Sequence, residues 1–349
     1  PIDSVGNVVR SFPVFGKQKC RVWFGSGALA GSALIALPAE AATKRQTVVV
    51  KAGKKSSPSA KRLVRVRYVV PAASFGQQLG LHAADDPLDL RSAAVLVLDQ
   101  DTNEILLAKN QHAVLPIASI TKLMTALVVA DAEQPMDELL TITAEDIDTE
   151  KGSRSRLQLG TQLTRGEMLH LALMASENRA ANALGRHYPG GLPAVVAAMN
   201  RRAQSLGMKH TRHVEPTGLS SSNQSNATDL ALLVREADKN DMIRRLSTSL
   251  EAEVAVGPRA VHFRNTNSLV RNSEWAIGLQ KTGYISEAGR CVVMQAQLSG
   301  RKLVMVLLDS AGKYSRVGDA ERIRSWLSTQ SIGSPAPAPA TATVAAPLS

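Results

Sequence analysis

Two stretches that read as β-hairpins lie near opposite ends of this chain, with helical periodicity between them. In the first, the apolar run at 93–98 meets the turn residues Asp99-Gln100-Asp101-Thr102-Asn103 and returns as a strand at 104–108. In the second, 291–298 and 302–308 flank Ser299-Gly300. Between them, residues 119–130 put Leu123, Ala126, Leu127 and Ala130 at helical spacing. A helix at 164–174 opens on Thr164 followed three residues later by Glu167, a capping-box pattern. Further helices are expected over 179–187, 192–206 and 228–238, the last capped by Thr228, and a final one over 315–328. Strands at both ends with helices between predict an α/β (α+β) fold: an antiparallel sheet built from the N- and C-terminal segments, flanked by an inserted helical cluster. A site would lie between the two layers.

The net charge of +11 belongs to one end of the chain. Residues 42–84 contain nine basic side chains and no acidic one, whereas the chain beyond them is balanced. A basic arm attracts polyanions loosely, but the body carries no nucleic-acid recognition motif, so nucleic acid is not an expected partner. Upstream, Lys17, Lys19 and Arg21 precede an apolar run at 22–37 and then Ala39-Glu40-Ala41. That is the pattern of a secretory signal cleaved after Ala41. The run is short for a bilayer span, and no later stretch approaches about 18 apolar residues. The expected organisation is an unassigned leader at 1–16, a signal peptide at 17–41, a basic flexible linker at 42–87, one globular domain at 88–330 and a disordered Pro/Ala tail at 331–349. Export to the periplasm follows. Loss of the signal would remove Cys20 and leave Cys291, whose neighbours Val292, Val293 and Met294 suggest a buried, unreactive thiol.

Three short motifs carry chemistry. Ser119-Ile120-Thr121-Lys122 opens the first long helix, and its spacing sets a hydroxyl and an amine on one helical face. A serine needs an adjacent base to attack at neutral pH, and a desolvated lysine can supply one. Ser176-Glu177-Asn178 lies between two helices, and Lys281-Thr282-Gly283 lies just before the strand at 291–298. Lys281 offers positive potential, Thr282 a hydrogen bond, and Gly283 room for a substrate backbone. Each motif alone is weak, and Ser221-Ser222-Asn223 also matches the second. Their order together is the signature of class A β-lactamases and penicillin-binding proteins.

At residues 88–329 the chain resembles the low-molecular-mass penicillin-binding proteins, in particular their D-alanyl-D-alanine endopeptidase branch. The resemblance rests on 116–125 around Ser119, on Glu215-Pro216-Thr217-Gly218-Leu219, on 278–289 around Lys281, and on Val306-Leu307-Leu308-Asp309-Ser310. It implies a β-lactamase/transpeptidase-like fold and a peptidoglycan peptide substrate. By it, Ser119 is the nucleophile, Lys122 its base and Ser176 a proton relay tied to Lys122 or Lys281. Asn178 would hold the substrate amide, and Lys281 and Thr282 its carboxylate-bearing side, with Gly283 leaving room for its backbone. The amides of Ser119 and Tyr284 would receive the oxyanion. No metal or organic cofactor is implied, and β-lactams are expected to acylate Ser119.

Other readings use the same residues. A carboxypeptidase would remove only the terminal D-alanine. A class A β-lactamase would need a deacylating carboxylate, for which Glu215 is the candidate. A sensor would bind wall peptide without turnover, and a metal hydrolase would have to draw on His210, His213 and Glu215.

Overall fold

The computed structural model describes residues 72–333, with side chains described through 329. The expected leader, signal peptide, Cys20, the linker up to 71 and the tail from 334 lie outside the described residues.

The chain enters through α1 (Phe75–Gln78) and forms the first hairpin from β1 (Ser92–Asp99) and β2 (Ile105–Lys109). After the short β3 (Leu115–Pro116), the helical layer is built from α2 (Thr121–Asp131), β4 (Leu139–Thr141), β5 (Gln162–Thr164), α3 (Arg165–Met174), α4 (Asn178–Arg186), α5 (Gly191–Ser205), β6 (Gln224–Ser225), α6 (Ala227–Ala237) and α7 (Asp241–Thr248). The chain returns through β7 (Glu251–Val256), β8 (Arg259–Arg264), β9 (Ala276–Ile285), β10 (Gly289–Leu298), β11 (Arg301–Ser310) and α8 (Ser315–Gly333).

The two expected hairpins do join. The five-stranded sheet runs β2-β1-β11-β10-β9, every neighbour antiparallel, with β1 and β11 paired from Ser92↔Ser310 to Asp99↔Leu303. Its central strands are buried on both faces, which is why they read as unbroken apolar runs. Ala94, Leu96, Val293, Val304, Val306 and Leu308 pack toward the helical layer. The alternate residues Val95, Val97, Met294, Leu303, Met305 and Leu307 pack with Ala320, Ile323 and Leu327 of α8. The sheet is therefore covered on both sides, with α8 as a third layer.

At the centre of the helical layer, α2 is buried from Thr121 through Val129, as befits a helix apolar on all sides. Thr164 and Glu167 form the expected capping box of α3. The cap of α6 differs from expectation. Asn226 rather than Thr228 accepts from the amide of Asp229 (2.8 Å), while the Thr228 hydroxyl turns to the carbonyl of Gln111. Asn226 has the extended backbone that a cap requires, so the helix starts earlier than apolar spacing indicates.

Residues 72–87, expected as the end of a flexible linker, are instead strapped to the sheet. The amide of Gly76 donates to Asp309 Oδ2 at 2.8 Å, and Lys109 Nζ reaches Asp86 Oδ2 at 2.8 Å with both side chains buried. A Cβ on Gly76 would lie 2.5 Å from the Asp309 carboxylate, so the close approach requires glycine. Polar contacts to distant residues, with Phe75 and Leu81 packed against the core, order this segment where apolar periodicity gives no signal.

Candidate active site

Ser119 sits in a 3₁₀ turn, Ala118–Ile120, that feeds directly into α2. Two glycines let neighbouring backbone press against this turn. A Cβ on Gly218 (φ +79°) would fall 2.0 Å from the carbonyl oxygen of Ala118, and one on Gly283 would fall 3.0 Å from the Ser119 amide nitrogen. Ala118 itself holds φ +47°, a conformation sustained only because these contacts over-determine it.

One turn along, the fully buried Lys122 places Nζ 2.8 Å from Ser119 Oγ, 2.7 Å from Asn178 Oδ1 and 2.6 Å from the Thr217 carbonyl. The last two atoms can only accept. A neutral amine has two N–H groups and one lone pair, so two obligate acceptors leave the lone pair facing the Ser119 hydroxyl. Burial favours that neutral state and lowers the Lys122 pKa to about 8, against the pull of Glu215, Glu177 and Asp148.

A second serine–lysine pair faces the first. Lys281 pairs with Val293 across β9 and β10, which turns its side chain toward the helical layer; a one-residue slip would point it at α8. There its Nζ donates to Ser176 Oγ at 2.9 Å and to the Thr282 carbonyl at 2.8 Å. Ser176 holds φ +59° in the bend between α3 and α4. Burial, with Lys122 and Arg316 nearby, puts the Lys281 pKa well below the ordinary lysine range. Of the two partners left open for Ser176, the geometry selects Lys281.

Asn178, expected to hold the substrate amide, is itself bonded at both ends of its side-chain amide. Its Oδ1 accepts from Lys122 and its Nδ2 donates to Ser153 Oγ at 2.9 Å, so it orients the lysine while each end keeps one further hydrogen-bonding position. On the sheet side, the Thr282 and Thr266 hydroxyls lie 2.6 Å apart, and Thr266 in turn takes the Met174 carbonyl through its amide (3.1 Å). Arg316 approaches the same strand from α8, with Nη1 3.3 Å from the Gly283 carbonyl and Nη2 3.5 Å from that of Thr266. Tyr284 is exposed, its ring beneath the Arg290 guanidinium at 4.5 Å. Neither Thr266 nor Arg316 belongs to a motif; Thr266 is held at the site by the Met174 carbonyl and Thr282, and Arg316 reaches it from α8.

Of the residues that rival readings invoke, Glu215 is engaged elsewhere, and the histidines are not gathered with it into a metal-binding group among the described residues. The Glu215 carboxylate is filled by donors of its own loop: the amides of Thr217 (2.6 Å), Gly218 (2.6 Å) and Ser220 (3.3 Å), the Thr217 hydroxyl and the Asn223 amide group. It fixes the Thr217 carbonyl against Lys122. Asn223 of the second Ser-x-Asn match belongs to this clamp. His213 is buried and its pKa is pushed down to about 4 by desolvation, while His210 gives its amide to Asp229. Among the described residues no group of three or more His, Cys, Asp or Glu is placed to hold a metal ion. Cys291 is buried, its thiol pushed up to about 12, which keeps it inert.

A serine hydrogen-bonded to a buried lysine at the start of a helix, opposed by a second lysine on a sheet edge, is the arrangement of serine hydrolases of the β-lactamase/transpeptidase-like class. A sequence profile of the D-alanyl-D-alanine carboxypeptidase family matches residues 81–312, and the chain belongs to that family of serine peptidases. It is 47% identical over 246 residues to a D-alanyl-D-alanine endopeptidase of Pseudomonas aeruginosa, covering 70% of this chain and 79% of that protein. With the Escherichia coli D-alanyl-D-alanine endopeptidase it shares 43% identity over 256 residues, covering 73% and 82%. Among solved structures, a D-alanyl-D-alanine carboxypeptidase from Mycobacterium tuberculosis superposes with a TM-score of 0.63 at 26% identity, covering 75% of this chain and 96% of that one. The family match starts at residue 81, so it takes in Asp86 of the strapped segment but not Phe75 or Gly76.

Proposed function

We propose that this protein hydrolyses D-alanyl cross-links in peptidoglycan, as a serine D-alanyl-D-alanine endopeptidase working through an acyl-enzyme on Ser119. The observation that carries the reading is the arrangement around Lys122, where acceptors at 2.7 and 2.6 Å occupy both N–H groups of the neutral amine and the lone pair is left for the serine proton. Ser119 Oγ attacks the D-alanyl carbonyl as Lys122 takes its proton, and the oxyanion forms beside the amides of Ser119 and Tyr284. Ser176, supplied by Lys281, protonates the departing amine. Lys281, Thr282 and Arg316 provide the positive wall for a carboxylate beside that amine, and Asn178 lends its remaining positions to the donor amide. The proton held by Lys122 then passes back to the Ser176–Lys281 pair, restoring both, and neutral Lys122 takes a proton from the attacking water and returns it to Ser119 Oγ as the acyl group leaves. A β-lactam follows the first half of this path and stays on Ser119.

The endopeptidase choice is supported by the names of the 47% and 43% identical relatives, while relatives named as carboxypeptidases are 27% to 31% identical. The periplasm is the proposed location, from the signal pattern at 17–41, and no helix among the described residues is long and apolar enough to cross a membrane. Mass spectrometry of muropeptides before and after digestion tests the proposal. Cross-linked dimers should fall with wild-type protein and persist with Ser119→Ala. Loss of terminal D-alanine alone would overturn the choice in favour of a carboxypeptidase.

A further inference from the structure

Past Tyr284, one contact spans the cleft. Lys151 Nζ lies 2.5 Å from Glu287 Oε1, joining residues 136 positions apart on opposite walls. Glu287 is on the sheet side, in the turn from β9 to β10. Its carbonyl accepts from the Phe75 amide at 2.9 Å, and its second carboxylate oxygen accepts from Ser286 Oγ at 2.8 Å. Lys151 is on the helical side, in a loop gathered around Asp148, whose carboxylate accepts from the amides of Glu150 (2.9 Å), Lys151 (2.8 Å) and Ser153 (2.8 Å). Ser153 is the residue that holds Asn178. One short loop therefore touches the Lys122 network at one end and the far wall at the other. The wall at Glu287 is pinned by sheet and strap, and the ion pair is what joins the loop to it.

The order of residues along β9 decides what meets this bridge. On the reading above, on which this inference rests, Thr282 marks the carboxylate side of the leaving amine and the Tyr284 amide marks the attacked carbonyl. Glu287 comes three positions later, in the turn where β9 ends, so the strand runs from the attacked carbonyl toward the bridge. An acyl donor continued beyond its D-alanyl residue heads for Lys151 and Glu287.

We infer that the Lys151–Glu287 ion pair is a specificity-determining latch, closing the donor end of the cleft and parting to admit long donors. Donors that stop short of it do not need it open. Both side chains are about a quarter exposed, at 27% and 28%. An ion pair of this kind shifts an equilibrium by about fivefold at most and weakens with salt, which suits a latch better than a brace.

The test compares acylation of Ser119 in the full chain by 6-aminopenicillanic acid, which lacks a side-chain acyl group, and by a penicillin with a long fluorophore-bearing side chain. Lys151→Ala and Glu287→Gln should each speed the long penicillin about three- to fivefold and leave the short one unchanged. Raised salt should move the wild-type protein in the same direction, and the exchange of Lys151→Glu with Glu287→Lys should restore the wild-type ratio. Reaction with 6-aminopenicillanic acid reports that each variant is folded, and the salt arm needs no substitution. An unmoved ratio overturns the latch, and so does a slower long-donor reaction, which would make the pair a substrate contact. Wild-type protein acylated by neither compound would overturn the reading of the site, and the latch with it.

Discussion

The two serine–lysine pairs are built alike and surrounded differently. Each lysine is fully buried and each bonds one serine, at 2.8 Å for Lys122 with Ser119 and 2.9 Å for Lys281 with Ser176. Burial is the main force lowering both pKa values. Around Lys122, however, Glu215, Glu177 and Asp148 pull the other way, whereas at Lys281 the nearby cations Lys122 and Arg316 push in the same direction as burial. A base must both lose a proton readily and be able to hold the one it receives, and flanking carboxylates allow the second without preventing the first. Lys281 has fewer fixed acceptors: one carbonyl against two. It is better suited to passing charge through Ser176 than to storing a proton.

That division of roles is broken or sharpened first by removing each amine. Lys122→Gln should slow acylation of Ser119 by about 10³-fold or more, the usual range for losing a positioned base. Lys281→Gln should cost roughly 10²-fold, because Ser176 keeps a hydroxyl and Arg316 keeps part of the positive wall. Labelled penicillin read by gel fluorescence against time gives both rates. Equal losses would mean that the two pairs act as one unit, and the contrast in their surroundings would carry no functional weight.

Next in size is the pH response. Lys122 works in its neutral form, whose fraction grows as pH rises through about 8, so acylation should climb between pH 6 and 9. Glu177 is buried, has an oxygen without a hydrogen-bond partner and raises the Lys122 pKa. Glu177→Gln removes that charge with little change of shape. The rising limb should then move to lower pH, and the rate at pH 7 should increase about two- to threefold. A limb that stays in place would assign the proton transfer to a group other than Lys122.

The contrast between the pairs also explains what could be read from the chain. Ser119 and Lys122 are three residues apart at the start of an apolar helix, so helical geometry alone brings them together. The hairpins of β1–β2 and β10–β11 were equally plain, because continuous apolar runs end in turn residues. Ser176 and Lys281 meet across 105 positions, and no local pattern specifies which face of β9 the lysine occupies. That strand itself is hidden: Gln280, Lys281 and Thr282 interrupt its apolar residues, and Lys-Thr-Gly reads as a turn before the next strand rather than the middle of this one. It is held as a strand by pairing with β10. The strap at 72–87 and the α6 cap are hidden for a related reason, since individual contacts, not periodicity, decide them.

Thr266 gives the smallest effect and the finest test of the sheet-side wall. Its hydroxyl lies 2.6 Å from that of Thr282 and also reaches the Met174 carbonyl at 3.3 Å, so it ties the strand of Lys281 to the bend that carries Ser176. It touches neither lysine, which makes it a positioning residue. Thr266→Val keeps the shape and removes the hydrogen bond, freeing the Thr282 hydroxyl to turn away from a substrate carboxylate. The KM for a carboxylate-bearing peptide should rise about three- to tenfold while kcat changes less than twofold, and Thr266→Ser should recover most of the loss. A purely structural role would lower the melting temperature and the amount of active enzyme without changing KM. A fall in kcat at constant KM would place Thr282 on the side of proton transfer, and the wall of Lys281 would then be doing chemistry as well as holding substrate.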